Sequence, residues 1–220
     1  MARLNNYLIQ AAQAKQRFLT YDHQRLIHKF RLESDEDYIY VNLLCKLYRV
    51  NRKTGDLYFR EGEKWLDGNS YEEVMTLLDL LCDSRDDRWI SGRWKNMQDF
   101  GLMFHRTLLE ERVDPFALAI DENPREFCEA CRALGGRELP GADLSFRLEV
   151  FDGLPIAIRF WHGDEEFAPQ LRWLWDENAT MYLRYETMYF AVDLLRRRIE
   201  EKLNNVVDSG NPACYNVKNL

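Results

Sequence analysis

The densest concentration of groups able to do chemistry is the run Trp161, His162, Gly163, Asp164, Glu165, Glu166 and Phe167, with Asp176 and Glu177 just after the strand that follows. Three consecutive carboxylates beside an imidazole can offer several oxygen ligands to one coordination sphere, and a hard cation such as Mg²⁺ or Ca²⁺ suits such a set. On that reading His162, Asp164, Glu166 and Asp176 are the metal ligands, with Glu165 beside them as a further ligand or base. Alternatively, one carboxylate desolvated against Trp161 or Phe167 has a raised pKa and acts as a general acid or base. The spacing lacks the alternating Asp/Asn, glycine and distal glutamate of a calcium loop. The plainest reading is an exposed loop between strands, in which the carboxylates cap backbone amides and Phe167 anchors the turn in the core.

Aromatic residues make up 13% of the chain, and several fall in the same region. Trp161, Phe167, Trp173 and Trp175 bury large areas while the indoles keep a polar handle, so with the acidic groups they could line a ligand pocket or a partner interface. Ordinary core packing is the competing explanation. Trp173 and Trp175 lie two apart and share a strand face, so something must cover that face.

Cys128 and Cys131 form a C-x-x-C pair with both sulfurs on one side of a predicted helix. Two thiolates do not complete a structural zinc site, and no second pair is available to supply the remaining ligands. A thioredoxin-like role needs the first cysteine at a helix N-terminus, yet Pro124 marks that end and Cys128 sits a turn inside. Packing in the core is the better expectation. The five cysteines are odd in number and scattered, so reduced thiols are expected. His23, His28 and His105 show no ligand spacing, and neither a phosphate loop, a nucleophile elbow, an H-E-x-x-H motif nor a Rossmann fingerprint occurs.

The elements that must hold these residues follow from periodicity. Residues 4–30 carry apolar side chains at helical spacing, with a break expected near Thr20 to Asp22. Residues 38–59 alternate as strands, and 51–56 supply turn chemistry for a β-hairpin. Ser70 and Glu73 form a capping box ahead of a helix over 71–82. Residues 83–106 have no clear period and are expected to be an ordered loop. A short helix over 106–120 should be interrupted at Pro115. A firmer one is capped by Asn123, starts at Pro124 and ends at Gly135 and Gly136. Leu144, Phe146, Leu148 and Val150 share a face, Asp152 and Gly153 turn the chain, and Ile156, Ile158 and Phe160 return. A third strand covers 171–175 and a closing helix 185–203. Hairpins rather than strand–helix alternation imply the α+β class, with antiparallel hairpins and helices packed on one side or end.

The length of 220 residues fits a single domain over 1–207, with 208–220 as a loosely attached tail. A formal charge of −7 repels phosphate backbones, so nucleic acid is an unlikely partner and a protein or small molecule is expected instead. The basic run Arg196, Arg197, Arg198 is followed by Glu200 and Glu201 and reads as a solvated helix face. No stretch approaches the roughly 18 apolar residues that cross a bilayer, and the N-terminus lacks a signal pattern, so the chain is expected in the cytoplasm. Cofactor and oligomeric state are left open.

The string 160–169 (Phe-Trp-His-Gly-Asp-Glu-Glu-Phe-Ala-Pro), followed by Leu174, Trp175, Asp176, Tyr182, Leu183 and Glu186, resembles an uncharacterised family of domains of about 200 residues from anaerobic bacteria and archaea. Leu134 to Gly136 and Gly141 to Ser145 match its preceding signature, and the early hairpin around 50–55 also fits. The resemblance implies no established activity, and some members are attached to iron–sulfur or corrinoid-related proteins. This chain has no ferredoxin-like cysteine cluster, so no cofactor is carried over. Ala168 stands where relatives place proline, which alters the loop. The leading expectation is an accessory or ligand- or partner-binding domain with its site at 161–176. The alternative is a metal-dependent enzyme using His162, Asp164, Glu165, Glu166 and Asp176.

Overall fold

The computed structural model describes residues 2–100 and 114–206. In chain order the elements are α1 (Ala2–Leu19), α2 (His23–Phe30), β1 (Tyr38–Leu43), β2 (Lys46–Asn51), β3 (Leu57–Glu61), β4 (Lys64–Asp67), α3 (Tyr71–Asp83), β5 (Trp94–Asn96), α4 (Pro115–Glu122), α5 (Pro124–Ala133), β6 (Arg137–Glu138), β7 (Leu144–Phe151), β8 (Leu154–Trp161), β9 (Gln170–Asp176) and α6 (Tyr185–Val206). All named strand pairs are antiparallel, and the class is α+β. The described residues fall into two compact units, one drawn from 2–89 and 180–194, the other from 90–100, 114–179 and 195–206.

In the first unit, the expected break between the opening helices comes from Asp22. Its Oδ1 accepts from the backbone N–H of Gln24 (2.9 Å) and Arg25 (3.2 Å), satisfying free donors at the start of α2. The next segment is a four-stranded meander in the order β1-β2-β3-β4, larger than the single hairpin that periodicity suggests. The turn at 51–56 is built as expected, with Asn51 Oδ1 accepting from Lys53 N and Thr54 N. A second tight turn lies at Leu44 and Cys45, at φ of 50° and 60°. Neither residue type announces such a turn, which usually takes Asn or Gly. Ser70 caps α3, and its hydroxyl donates to Glu73 Oε2 (2.8 Å), while Glu73 Oε1 accepts from the hydroxyl of the fully buried Tyr48.

The second unit is a five-stranded sheet in the order β5-β9-β8-β7-β6. Asp152 and Gly153 turn β7 into β8 at φ of 50° and 78°, as their sequence demands. One face carries Phe146, Ile158 and Trp173 in one cross-strand row and Leu148, Ile156 and Trp175 in the next. Helices cover it: Phe127 of α5 meets Phe146 edge-on at 5.9 Å, and Phe116 of α4 stacks on Trp173 at 6.4 Å. Phe116, Phe127 and Phe146 are fully buried, and each contributes about 1.5–3 kcal/mol through the area it removes from water.

Four expectations about this unit are corrected. Residues 83–106 are not all loop, because β5 pairs with β9 and a 3₁₀ turn follows at Met97–Asp99; a three-residue strand is too short to show a period. Pro115 begins α4 rather than interrupting a helix, with Asp114 Oδ1 accepting from Phe116 N at 2.9 Å; residues 106–113 lie outside the described residues. Asn123 makes no side-chain cap for α5, because its amide instead donates to the carbonyl of Ala119 at the end of α4 (3.1 Å). Arg198 is buried rather than solvated, while Arg196 pairs with Asp114 and Glu200. The tail at 208–220, Cys214 and His105 also lie outside the described residues.

Candidate functional site

The acidic segment is the loop between β8 and β9, and its side chains do not converge. Asp164 Oδ1 accepts from Glu166 N (2.9 Å) and Phe167 N (2.7 Å), and Asp164 N donates to Phe167 O, so this carboxylate serves the loop's own backbone. Gly163 is required by close approach: a Cβ there would stand 2.9 Å from Pro169 Cδ. Glu165 and Glu166 are exposed. Phe167 is 62% exposed, so it does not anchor the turn in the core. His162 turns away, with Nδ1 2.6 Å from Oδ1 of Asp121 on α4 and its backbone N–H donating to Asp143 Oδ2.

Asp176 stands at the opposite end of β9. Trp161 pairs with Gln170 beside the loop, whereas Asp176 lies six residues on, about 20 Å away at strand rise. It is 1% exposed and accepts four hydrogen bonds: from Ser91 N (3.1 Å), Ser91 Oγ (3.1 Å), Gly92 N (2.7 Å) and Asn178 N (2.9 Å). Its role is to fix the chain entering β5. Among the described residues no group of three or more His, Cys, Asp or Glu is placed to hold a metal ion, so the metal-enzyme alternative gains no support.

None of the described cysteines is in a disulfide, and the pair on α5 is packed rather than poised. Burial pushes the Cys131 thiol well above its ordinary pKa and that of Cys128 upward too, the reverse of what a reactive thiol needs. Thiol titration of the native chain at pH 7 should therefore find Cys131 unreactive and Cys128 slow, with full reaction only after unfolding. Rapid labelling of Cys131 would contradict this packing.

Trp173 and Trp175 lie on the helix-covered face, Trp175 fully buried in the core and Trp173 half-buried beneath Phe116, although the Trp175 indole N–H is buried without a partner among the described residues. Trp161, a candidate from the sequence, belongs to the other face. Arg137 of β6 lies directly opposite Arg147 of β7, and Arg159 of β8 directly opposite Arg172 of β9. Arg147 faces Ala157, two residues from Arg159, so all four arginines share one side of the sheet. Arg172 also stacks over the Trp161 ring at 5.3 Å. None of the four has a side-chain hydrogen bond or ion pair among the described residues. The Arg159 guanidinium lies against Gly141, and its Nε is buried without a partner. Like charges directly opposite in a sheet repel, and each such pair costs roughly 0.2–1 kcal/mol. The signal was available in the sequence: Arg147, Arg159 and Arg172 occupy outward positions of strands whose inward positions were assigned.

The first unit holds a different ionic cluster. Arg17 of α1 reaches Asp79 of α3 through Nη2 and Asp83 through Nη1 (2.8 Å), Thr187 donates to Asp79 Oδ2, and Arg184 Nε lies 2.8 Å from Asp83. Arg17, Asp79, Arg184 and Thr187 border a cavity of about 530 Å³ that Gln10, Tyr71 and Phe190 also line. Asp79 is 1% exposed, and burial pushes its pKa up against the opposing pull of Thr187 and Arg17. Each of its oxygens accepts from a different helix, Oδ1 from Arg17 of α1 and Oδ2 from Thr187 of α6, so this carboxylate of α3 ties the three helices together.

Residues 22–198 match the family model described as a domain of unknown function, DUF3786. The chain belongs to that family. No curated protein and no solved structure matches it. The DUF3786 match opens at Asp22, the cap of α2, and closes at Arg198 within α6, so it takes in both sheets and the whole arginine face. Arg17 lies upstream of the DUF3786 match, although its partners Asp79 and Asp83 lie inside it. No helix among the described residues is long and apolar enough to cross a membrane.

Proposed function

We propose that this DUF3786 chain is an accessory binding domain whose site is the arginine face around Trp161, and whose partner presents an extended acidic polypeptide segment. The observation that carries the reading is the two cross-strand pairs Arg137–Arg147 and Arg159–Arg172, without a carboxylate partner among the described residues, in a chain that has 37 acidic residues and a net charge of −7. Leaving four guanidinium groups unpaired amid such a surplus of carboxylates favours an anion supplied from outside. Planar guanidinium forks meet carboxylates in bidentate fashion, and Trp161 adds a flat apolar contact at the edge of the row.

Arginines spread over four neighbouring strands suit an extended segment better than a compact ligand, since such strands present side chains at intervals of about 4.8 Å. A long polyanion such as RNA would meet the negative field of the whole chain, whereas a short acidic segment contacts this face alone. A protein partner also accords with relatives joined to other proteins, which the resemblance implies.

The test is fluorescence anisotropy with labelled octaglutamate, octalysine and single-stranded RNA. Octaglutamate should bind and weaken as salt rises, and Arg172→Ala should cost about 1 kcal/mol, roughly a fivefold weaker Kd. Binding of RNA in preference to octaglutamate, or an unchanged Kd in the variant, would remove the proposal.

A further inference from the structure

The sheet of the first unit also carries a guanidinium without an ion pair among the described residues, in surroundings of another kind. Tyr40, Arg49, Tyr58 and Asp67 form one cross-strand row across β1 to β4, on the face opposite the buried Ile39, Val41, Tyr48, Val50 and Leu57. The Arg49 Cζ lies 4.2 Å from the Tyr38 ring centroid, 4.5 Å from Trp65 and 5.2 Å from Tyr58. Ring faces satisfy the charge but not the five N–H donors of a guanidinium. No side-chain hydrogen bond or ion pair from Arg49 is made to any described residue, and its Nε is buried without a partner.

The neighbouring acids make their hydrogen bonds to other groups, although, after the Tyr40 hydroxyl, the Arg49 charge also helps hold the Asp35 carboxyl below its ordinary range. Asp35 accepts from the Tyr40 hydroxyl (2.7 Å) and from the backbone N–H of Asp37 and Tyr38, and Asp67 accepts from the Asn69 amide (2.6 Å). The Tyr38 and Tyr58 hydroxyls and the Trp65 indole N–H likewise have no partner among the described residues. Arg49 and these three rings are all half-buried, so part of the cluster is open to solvent, and Nε is the guanidinium nitrogen that is buried without a partner. The cluster thus holds donors without acceptors inside aromatic walls.

From this we infer that Arg49 with Tyr38, Tyr58 and Trp65 forms a binding site for a small organic acid that carries a carboxylate on a flat, aromatic body. The carboxylate is met by the two Nη groups, whose planar fork fits both oxygens, and the aromatic body packs on the ring edges that remain. This site differs from the arginine face of the second unit in having one cation enclosed by rings, so its preference is for an apolar acid rather than for a run of acidic residues.

The test is a titration of the full chain with 2-naphthoate, acetate and inorganic phosphate, followed by ligand-observed NMR saturation transfer and competition. Naphthoate should bind saturably, with acetate and phosphate weaker by about tenfold or more, as expected where the aromatic body supplies much of the affinity. Arg49→Lys keeps the charge but loses the planar fork, and it should weaken naphthoate by about tenfold. Trp65→Leu should do the same, and a far-UV melt of each variant checks that the sheet is intact. Equal binding of acetate and naphthoate, or full naphthoate affinity in a folded Arg49→Lys chain, overturns the assignment.

Discussion

Replacing Asp176 with alanine is expected to destabilise the chain by about 3 kcal/mol or more, because it orphans four donors that now converge on one buried carboxylate. For a chain of this size that is a fall of about 6–12 °C in thermal midpoint. Asp176→Asn keeps one acceptor oxygen but turns an amide N–H₂ toward backbone N–H groups, so it should fall between the two. Far-UV circular dichroism melts decide the matter. A loss under about 1 kcal/mol would mean that Ser91 and Gly92 find other acceptors and that Asp176 does not fix the entry to β5. The loss should also be the same with and without added Mg²⁺, as befits a structural carboxylate.

The second large effect concerns Arg17. Arg17→Met leaves Asp79 buried with only the Thr187 hydroxyl, and an uncompensated buried charge of this kind costs about 3–5 kcal/mol. Arg17→Met with Asp79→Asn removes the stranded charge and should recover most of that loss. The pH dependence follows from the direction of the Asp79 shift. Burial raises its folded pKa above the unfolded value, so the fold holds its proton more tightly than the unfolded chain does. The associated stability is fully present below the unfolded pKa and is lost as pH rises through the folded one. Asp79→Asn alone should therefore gain on the wild type as pH moves from acid to neutral, which urea melts across that range would record. If the double variant were as unstable as Arg17→Met, the cost would lie in lost packing of the arginine stem rather than in the buried charge.

Much of the scaffold was legible because its signals are local. Asp22, Ser70 and the pair Asp152 and Gly153 do their work within a few residues of themselves, so residue type alone locates them. The turn at Leu44 and Cys45 was hidden, since its positive φ angles are imposed by the strands on either side and by the burial of Leu44 rather than by residue preference. β5 was hidden because pairing with β9, a long-range event, makes a strand of three residues.

The site was read less well for a physical reason. Adjacency in sequence made Asp164, Glu165 and Glu166 look like a shared coordination shell, but a loop disperses consecutive side chains, and Asp164 is consumed by its own backbone. Asp176 is near that segment in sequence and a strand's length away in space. The arginines show the converse. They are scattered from 137 to 172 and become neighbours only through register, which no single strand reveals. Asp79 was similarly masked by the apolar stripe of α3, where Leu77, Leu78, Leu80 and Leu81 surround it.

The measurement that bears most directly on the arginine face is a charge reversal. Anisotropy titrations would compare octaglutamate and octalysine against the wild type and the Arg159→Glu, Arg172→Glu double variant, with melts to confirm that both are folded. The predicted result is that the wild type holds octaglutamate and ignores octalysine, while the variant loses octaglutamate and gains octalysine. Octaglutamate binding with undiminished affinity to the folded double variant would contradict the account.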